Sequence, residues 1–181
     1  NTRYDINKLK WIGTLTQDTT SCAASRQSGI KSITETKDRE LIFGATGASS
    51  STNQHVLLLR NMLGYKVRVV TGYRGTSKIR LAMKKGEVQA VCAFWASQAL
   101  GQLAADVASG ELVPIVQMGT KPHPVFGNAP VVYDLARNDE ELLMMRTVFK
   151  TTELTRPYAT APGAPNDRVA ALRKGFWAAV N

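Results

Sequence analysis

A run of small and hydroxyl-bearing residues, Gly44-Ala-Thr-Gly-Ala-Ser-Ser-Ser-Thr52, is the segment best suited to chemistry. Small side chains let a ligand approach the backbone. Where such a loop opens a helix, the first unpaired N–H groups and the helix dipole favour an anion. The hydroxyls of Thr46, Ser49, Ser50 and Ser51 add donors, and Gly47 and Ala48 leave room. An ordinary strand-to-helix turn with a Ser or Thr cap has the same composition, so the loop alone leaves both readings open. A second small-residue turn, Thr71-Gly-Tyr-Arg-Gly-Thr76, offers Tyr73 as an aromatic wall, Gly75 for close approach and Thr76 as a helix cap. Trp95 and Ser97 occupy the corresponding place after a third apolar run, with Trp95 serving either as pocket wall or as core.

Several kinds of chemistry are excluded. The nucleotide phosphate loop needs GxxxxGK[ST], and no Lys stands between Gly44 and His55. The dinucleotide fingerprint GxGxxG is also absent. Ser50 and His55 are close in sequence, but the GxSxG elbow is missing and no acid falls between Glu40 and Glu87. The two histidines, His55 and His123, have no metal-binding spacing, so neither a metal nor another cofactor is expected. Cys22 and Cys92 form one bridge or none; two cysteines cannot build a disulfide scaffold.

The elements that must position these loops alternate. Lys10–Ala24 reads as one or two strands, and Ser32 with Glu35 caps a short helix over Ile33–Lys37. Glu40–Ala45 is a short strand, followed by the loop and a helix through Leu63 that Gly64 ends. Lys66–Thr71 is a β-branched strand, Thr76–Lys85 a helix and Val88–Phe94 a strand. A helix from Ser97 has the inner stripe Leu100, Leu103, Ala104 and Val107, and Leu112–Met118 is a further strand. Thr120–Pro130 is an irregular loop. Asn138 caps a helix to Phe149, with Glu141 in the capping box and Leu142, Met145 and Phe149 inward. Pro165 opens a last helix with inner face Val169, Leu172 and Phe176. Strands alternating with helices predict an α/β fold with a mostly parallel sheet, whose ligands sit beyond the carboxyl ends of the strands. The loops after Ala45, Thr71 and Phe94 are therefore the ones that matter.

The chain has 181 residues, 44% apolar and 20% charged, and a net charge of +9. These values describe a folded domain or a domain and part of another. The longest apolar runs fall short of the ~20 residues a membrane-spanning helix needs. The basic excess suits an anionic ligand or partner, or simply a basic solvated surface, because its charges are scattered. Arg68, Tyr73 and Arg74 make only a thin version of a nucleic-acid surface. A basic α/β module for nucleic acid or another polyanion is thus the alternative reading.

IFGATGASSSTNQHVLLLRNMLGYKVRVVTGYRGTSKIRLAMKKGEVQAV, together with RPYATAPGAPNDRVAALRKGFWAAV, resembles the Bug-type substrate-binding receptors of tripartite tricarboxylate transporters. The likeness extends from about Tyr4 to Val180. It implies a periplasmic-binding-protein-like α/β lobe and part of a second. It also implies a bacterial periplasmic receptor, not an enzyme, that captures a small carboxylate and delivers it to the membrane components of such a transporter. The ligand would be held by Thr46, Gly47, Ala48, Ser49, Ser50, Ser51, Tyr73, Gly75, Thr76 and Trp95. No nucleic acid is expected as a partner.

The resemblance implies residues 1–20 as a crossover segment, 21–130 as the second lobe and 131–181 as segments returning to the first. Receptors of this kind are longer, and the difference falls at the amino terminus. The chain starts at Asn1 without a signal peptide and reads as a processed or trimmed product that binds ligand poorly on its own. Three departures from the family pattern stand out. Gln89 replaces the family's Asp after Gly-Glu-Val, Ser49 replaces a loop glycine, and His55 lies about two places later than usual.

Overall fold

The computed structural model describes residues 5–15, 18–149 and 157–180. The chain divides into two units, residues 18–152 and residues 1–17 with 153–181.

The larger unit is built on a five-stranded sheet. Its strands are β2 (Thr20–Ser25), β3 (Leu41–Gly44), β4 (Val67–Val70), β5 (Ala90–Trp95) and β6 (Leu112–Gln117), in the spatial order β4-β3-β5-β2-β6. Strand β3 pairs in parallel with β4 and β5, whereas β2 is antiparallel to β5 and β6. Four strands therefore run one way, and β2 is inserted against them. The expected mostly parallel α/β sheet is observed, with that one reversal.

Helix α1 (Ser51–Asn61) follows β3, α2 (Thr76–Lys84) follows β4, and α3 (Ala96–Leu100) follows β5. The sheet separates two apolar layers because successive strand residues point to opposite faces. Leu41, Phe43, Ala90 and Cys92 pack with Val56 and Leu59 of α1 and with Met145 and Phe149 of α5 (Asp139–Phe149). On the other face Ala23, Val91 and Phe94 pack with Ile79 and Met83 of α2, Ala99 of α3 and Phe126. Each fully buried Val, Leu, Ile, Phe or Met side chain among these contributes about 1.5–3 kcal/mol of transfer free energy.

Several expectations are redrawn. The helix from Ser97 is two short pieces, α3 and α4 (Ala104–Ala108), separated at Gly101, and Leu100 is 64% exposed. Its residue spacing met the helical period, but Gly101 takes φ −104 and ψ −111, which no helix continues through. Trp95, not Ser97, is the N-cap of α3, and Gly75, not Thr76, is the N-cap of α2. The loop at 120–130 contains a short 3-10 turn, Pro124–Phe126, and buries Phe126. Cys22 and Cys92 are joined in a disulfide between β2 and β5, with Cα atoms 3.9 Å apart.

Two caps form as the spacing predicts. Ser32 and Glu35 make a capping box on the Ile33–Lys37 turn, and Asn138 Oδ1 accepts from the Glu141 N–H at 2.9 Å. Arg137 holds the Glu141 carboxyl below its usual range and also donates to the Met62 carbonyl at 2.7 Å, tying α5 to the end of α1. Residues 131–149 accordingly belong to the larger unit, so the expected 131–181 segment is divided between the two units.

The smaller unit pairs β1 (Lys10–Gly13) antiparallel with β7 (Tyr158–Thr160) and packs α6 (Asn166–Val180) on them. Lys10 Nζ donates to the Ala164 carbonyl at 2.7 Å and to Asn166 Oδ1 at 2.6 Å. Arg173 donates twice to the Trp11 carbonyl, at 2.7 and 2.9 Å. Two strands cover only a narrow stripe of a helix. Val169 is buried, while Leu172 is 49% and Trp177 50% exposed, so the expected inner face is only partly covered within this unit.

Candidate functional site

All the ligand residues expected from the sequence fall in the larger unit. Gly44 pairs with Val70 of β4 and with Val91 of β5, so the three parallel strands end at one edge. Strand β5 runs on to Trp95, which pairs with Thr20 at the start of β2. The loops after β3, β4 and β5 therefore open on the same edge of the sheet. The Tyr73 N–H donates to the Ala45 carbonyl at 3.3 Å and joins the first two loops directly.

The first loop is held by its own hydroxyls. The Ser50 hydroxyl donates to the Gly47 carbonyl at 2.7 Å and lies 2.7 Å from Thr52 Oγ1. Thr52 Oγ1 accepts the Thr46 N–H at 3.0 Å and lies 3.2 Å from Thr46 Oγ1. Asn53 Nδ2 and Gln54 Nε2 both donate to the Ala48 carbonyl, at 2.7 and 3.0 Å. Thr46 and Ser50 thus act as braces of the loop, not as free donors. Among the described residues, the N–H groups of Ala48, Ser49, Ser51 and Thr52 have no hydrogen-bond partner. They precede or begin the 11-residue helix α1, whose dipole adds positive potential at the same place. Ser49 and Ser51 are exposed.

The second loop presents backbone in the same way. Gly75 has φ +119 and no atom within 4 Å of where a Cβ would stand. The N–H groups of Arg74, Gly75, Thr76 and Ser77 have no partner among the described residues. Tyr73 is half-buried and packs against the Ile79–Phe94 layer. Arg74 is exposed.

At the third loop the backbone is already engaged. The Trp95 N–H donates to Gln98 Oε1 at 3.1 Å, and the Ala96 N–H donates to the Thr19 carbonyl at 2.9 Å. The Ser97 N–H and hydroxyl both donate to Asp18, at 3.2 and 2.6 Å. Only the half-buried Trp95 side chain is left to present, and it belongs to neither core layer.

Sequence reasoning missed Thr52, the hub of the first loop, and Thr20. Thr20 is 1% exposed and its Oγ1 has no partner. A buried strand threonine carries no signal of its own, and only the Thr20–Trp95 pairing places it at this edge. His55 is not part of the edge chemistry. It is buried against Phe149 with ring centroids 5.2 Å apart, and burial lowers its pKa to about 4. Among the described residues no group of three His, Cys, Asp or Glu side chains could hold a metal, and no helix is long and apolar enough to cross a membrane.

No protein-family model matches the chain, and no curated protein matches it. Solved structures do. A TctC solute-binding protein from Polaromonas superposes with a TM-score of 0.59 at 12% identity, covering 99% of this chain and 71% of that one. An R. palustris protein solved with adipate gives 0.57 at 15% identity, with coverage of 99% and 70%. The periplasmic binding protein BugD gives 0.57 at 13%, with coverage of 93% and 67%. At these identities the likeness is one of fold. That fold is the periplasmic-binding-protein type the sequence resemblance implied.

Proposed function

We propose that this chain is a periplasmic solute receptor that captures a small carboxylate and presents it to the membrane components of a tripartite tricarboxylate-type transporter. The observation that carries this reading is the row of unpaired N–H groups at Ala48, Ser49, Ser51 and Thr52, facing the same edge as those of Arg74–Ser77. Preorganised amides at a helix start suit a carboxylate, which accepts hydrogen bonds only. The fold neighbour solved with adipate makes aliphatic dicarboxylates the first ligands to try. Trp95 and Tyr73 would supply the wall along the carbon chain, and Gly47, Gly75 and Thr76 the close backbone approach. The Cys22–Cys92 disulfide fits an oxidising compartment. On this reading the protein binds its solute without transforming it: the first two loops offer amides, hydroxyls and the Tyr73 phenol rather than a paired acid and base, and the Asp18 carboxylate at the third loop is taken up by Ser97.

The test is an amide-resolved NMR titration of the chain with adipate and shorter mono- and dicarboxylates. Shifts concentrated in residues 46–52 and 73–77, saturating by millimolar ligand, are expected. A millimolar Kd corresponds to about 4 kcal/mol. Absence of shifts at those residues across the panel would overturn the reading. Retention on DNA lost steeply with salt would favour the polyanion alternative instead.

A further inference from the structure

Strand β5 changes face partway along its length. Ala90 and Cys92 lie in the layer under α1, and Val91 lies in the layer under α2. Regular alternation would put Phe94 with Ala90 and Cys92. Instead Phe94 packs with Val91 and stands 6.0 Å from Phe126, ring centre to ring centre. The extra residue is Ala93, which has φ +58, the only positive value at a non-glycine among the described residues. Its partner strand shows the same break: Ser21 pairs with Phe94 and Ala23 with Val91, so Cys22 faces both Cys92 and Ala93. This is a β-bulge, which re-aims the side chains that follow it.

The consequence falls on Trp95. Its cross-strand partner Thr20 lies two residues from Cys22 and hence on the same face, the one that α1 covers. Without the bulge Trp95 would stand on the opposite face, away from the loop that leads into α1. The disulfide sits at the bulge itself, between residues that are both 0% exposed. An alanine holds a left-handed backbone only where its surroundings impose it.

We propose that the Cys22–Cys92 disulfide and the left-handed Ala93 form a positioning device. They fix the bulge in β5 and thereby aim the Trp95 indole, beside the unpartnered Thr20 hydroxyl, at the carboxylate loop. This rests on the ligand reading above but concerns a different step, the orientation of Trp95. The test uses the full chain with Trp11→Phe and Trp177→Phe, which leaves Trp95 as the sole indole. In that background Cys22→Ser with Cys92→Ser is expected to shift the Trp95 emission to the red and to weaken adipate binding about tenfold. Ala93→Val, with the disulfide intact, is expected to do the same, because a β-branched residue resists this backbone. Ala93→Gly accepts it and is expected to preserve both signals.

If the crosslink only stabilised the fold, its loss would lower the melting temperature and leave the emission of the folded protein unchanged. That result overturns the proposal, as does an Ala93→Val protein with unaltered emission. If the double serine variant does not fold, the valine and glycine pair decides. If the parent fails to bind adipate, the ligand reading falls while the emission still reports whether the bulge aims Trp95.

Discussion

The Tyr73 N–H reaches the Ala45 carbonyl at 3.3 Å, so the loop that leaves β4 hangs from the loop that leaves β3. The ladder runs one step past the strands, since Ala45 also donates to the Val70 carbonyl at 2.8 Å. Two sets of unpaired amides are thereby fixed against each other by backbone alone.

This arrangement separates the two glycines. Gly75, at φ +119, needs its backbone freedom, and a side chain there costs roughly 1–3 kcal/mol in strain. Gly75→Ala should therefore lower stability and disturb the start of α2 together. Gly47 has no positive φ, and an added Cβ would meet nothing within 4 Å. Gly47→Ala should leave stability within about 0.5 kcal/mol. It should still weaken carboxylate binding if the ligand approaches that backbone. Urea melts and a titration on both variants check the pair, and unchanged affinity in Gly47→Ala would count against close approach.

Thr52 concentrates the loop's polar contacts in one hydroxyl. It is 4% exposed, and replacing it with valine leaves the Thr46 N–H without its acceptor and removes one contact from the Ser50 hydroxyl, which keeps the Gly47 carbonyl. An orphaned buried group costs about 1–3 kcal/mol. Thr52→Val should lose that much in chemical denaturation, and Thr52→Ser should recover most of it. The valine variant should also bind carboxylates more weakly, because the amides of Ala48 and Ser49 are no longer held in place.

The first loop and its helix were legible because small residues ending a short apolar run and an apolar period of 3.6 both survive in one dimension. The inserted β2 was not legible, since the pairing of Thr20–Ser25 between β5 and β6 is set by residues far apart in sequence. Ala93 was hidden for a different reason. Alanine carries no preference for a left-handed turn, so the bulge shows only in three dimensions, in the positive φ of Ala93, the broken register against β2 and the layer membership of Phe94. The break at Gly101 was masked because Leu100, Leu103, Ala104 and Val107 keep a helical spacing through it. The hydroxyl roles inverted in part, with Thr46 and Ser50 bracing a loop whose amides are left free, because sequence shows a donor but not its partner.

Gly44 ends β3 where α2 crosses closely. A Cβ there would lie 2.5 Å from Ile79 Cγ2 and 3.2 Å from a Val88 methyl, both in the packed layer under α2. Overpacking of this kind costs about 1–3 kcal/mol. Gly44→Ala should lower the denaturation midpoint accordingly, and adding Ile79→Val to it should restore part of the loss by removing the end of the clashing side chain. A double-mutant cycle measures the coupling, which should be favourable; additive effects would show that the clash is relieved elsewhere.

His55 makes stability depend on pH. Burial against Phe149, which itself stands edge-on to Tyr133, lowers the His55 pKa from 6.5 to about 4 in the folded chain. Between those values the unfolded chain holds a proton that the folded one does not, so stability rises with pH. The contribution is complete above the unfolded value and is lost as pH falls from 6.5 toward 4. A shift of this size corresponds to about 3 kcal/mol in full, of which about 2 kcal/mol is gone near pH 5. His55→Leu removes the titrating group and should flatten this part of the profile, whatever it does to the stability at neutral pH. Urea denaturation from neutral pH to about 4.5 reads the slope. A wild-type slope that persists unchanged in His55→Leu would assign the acid sensitivity to other groups.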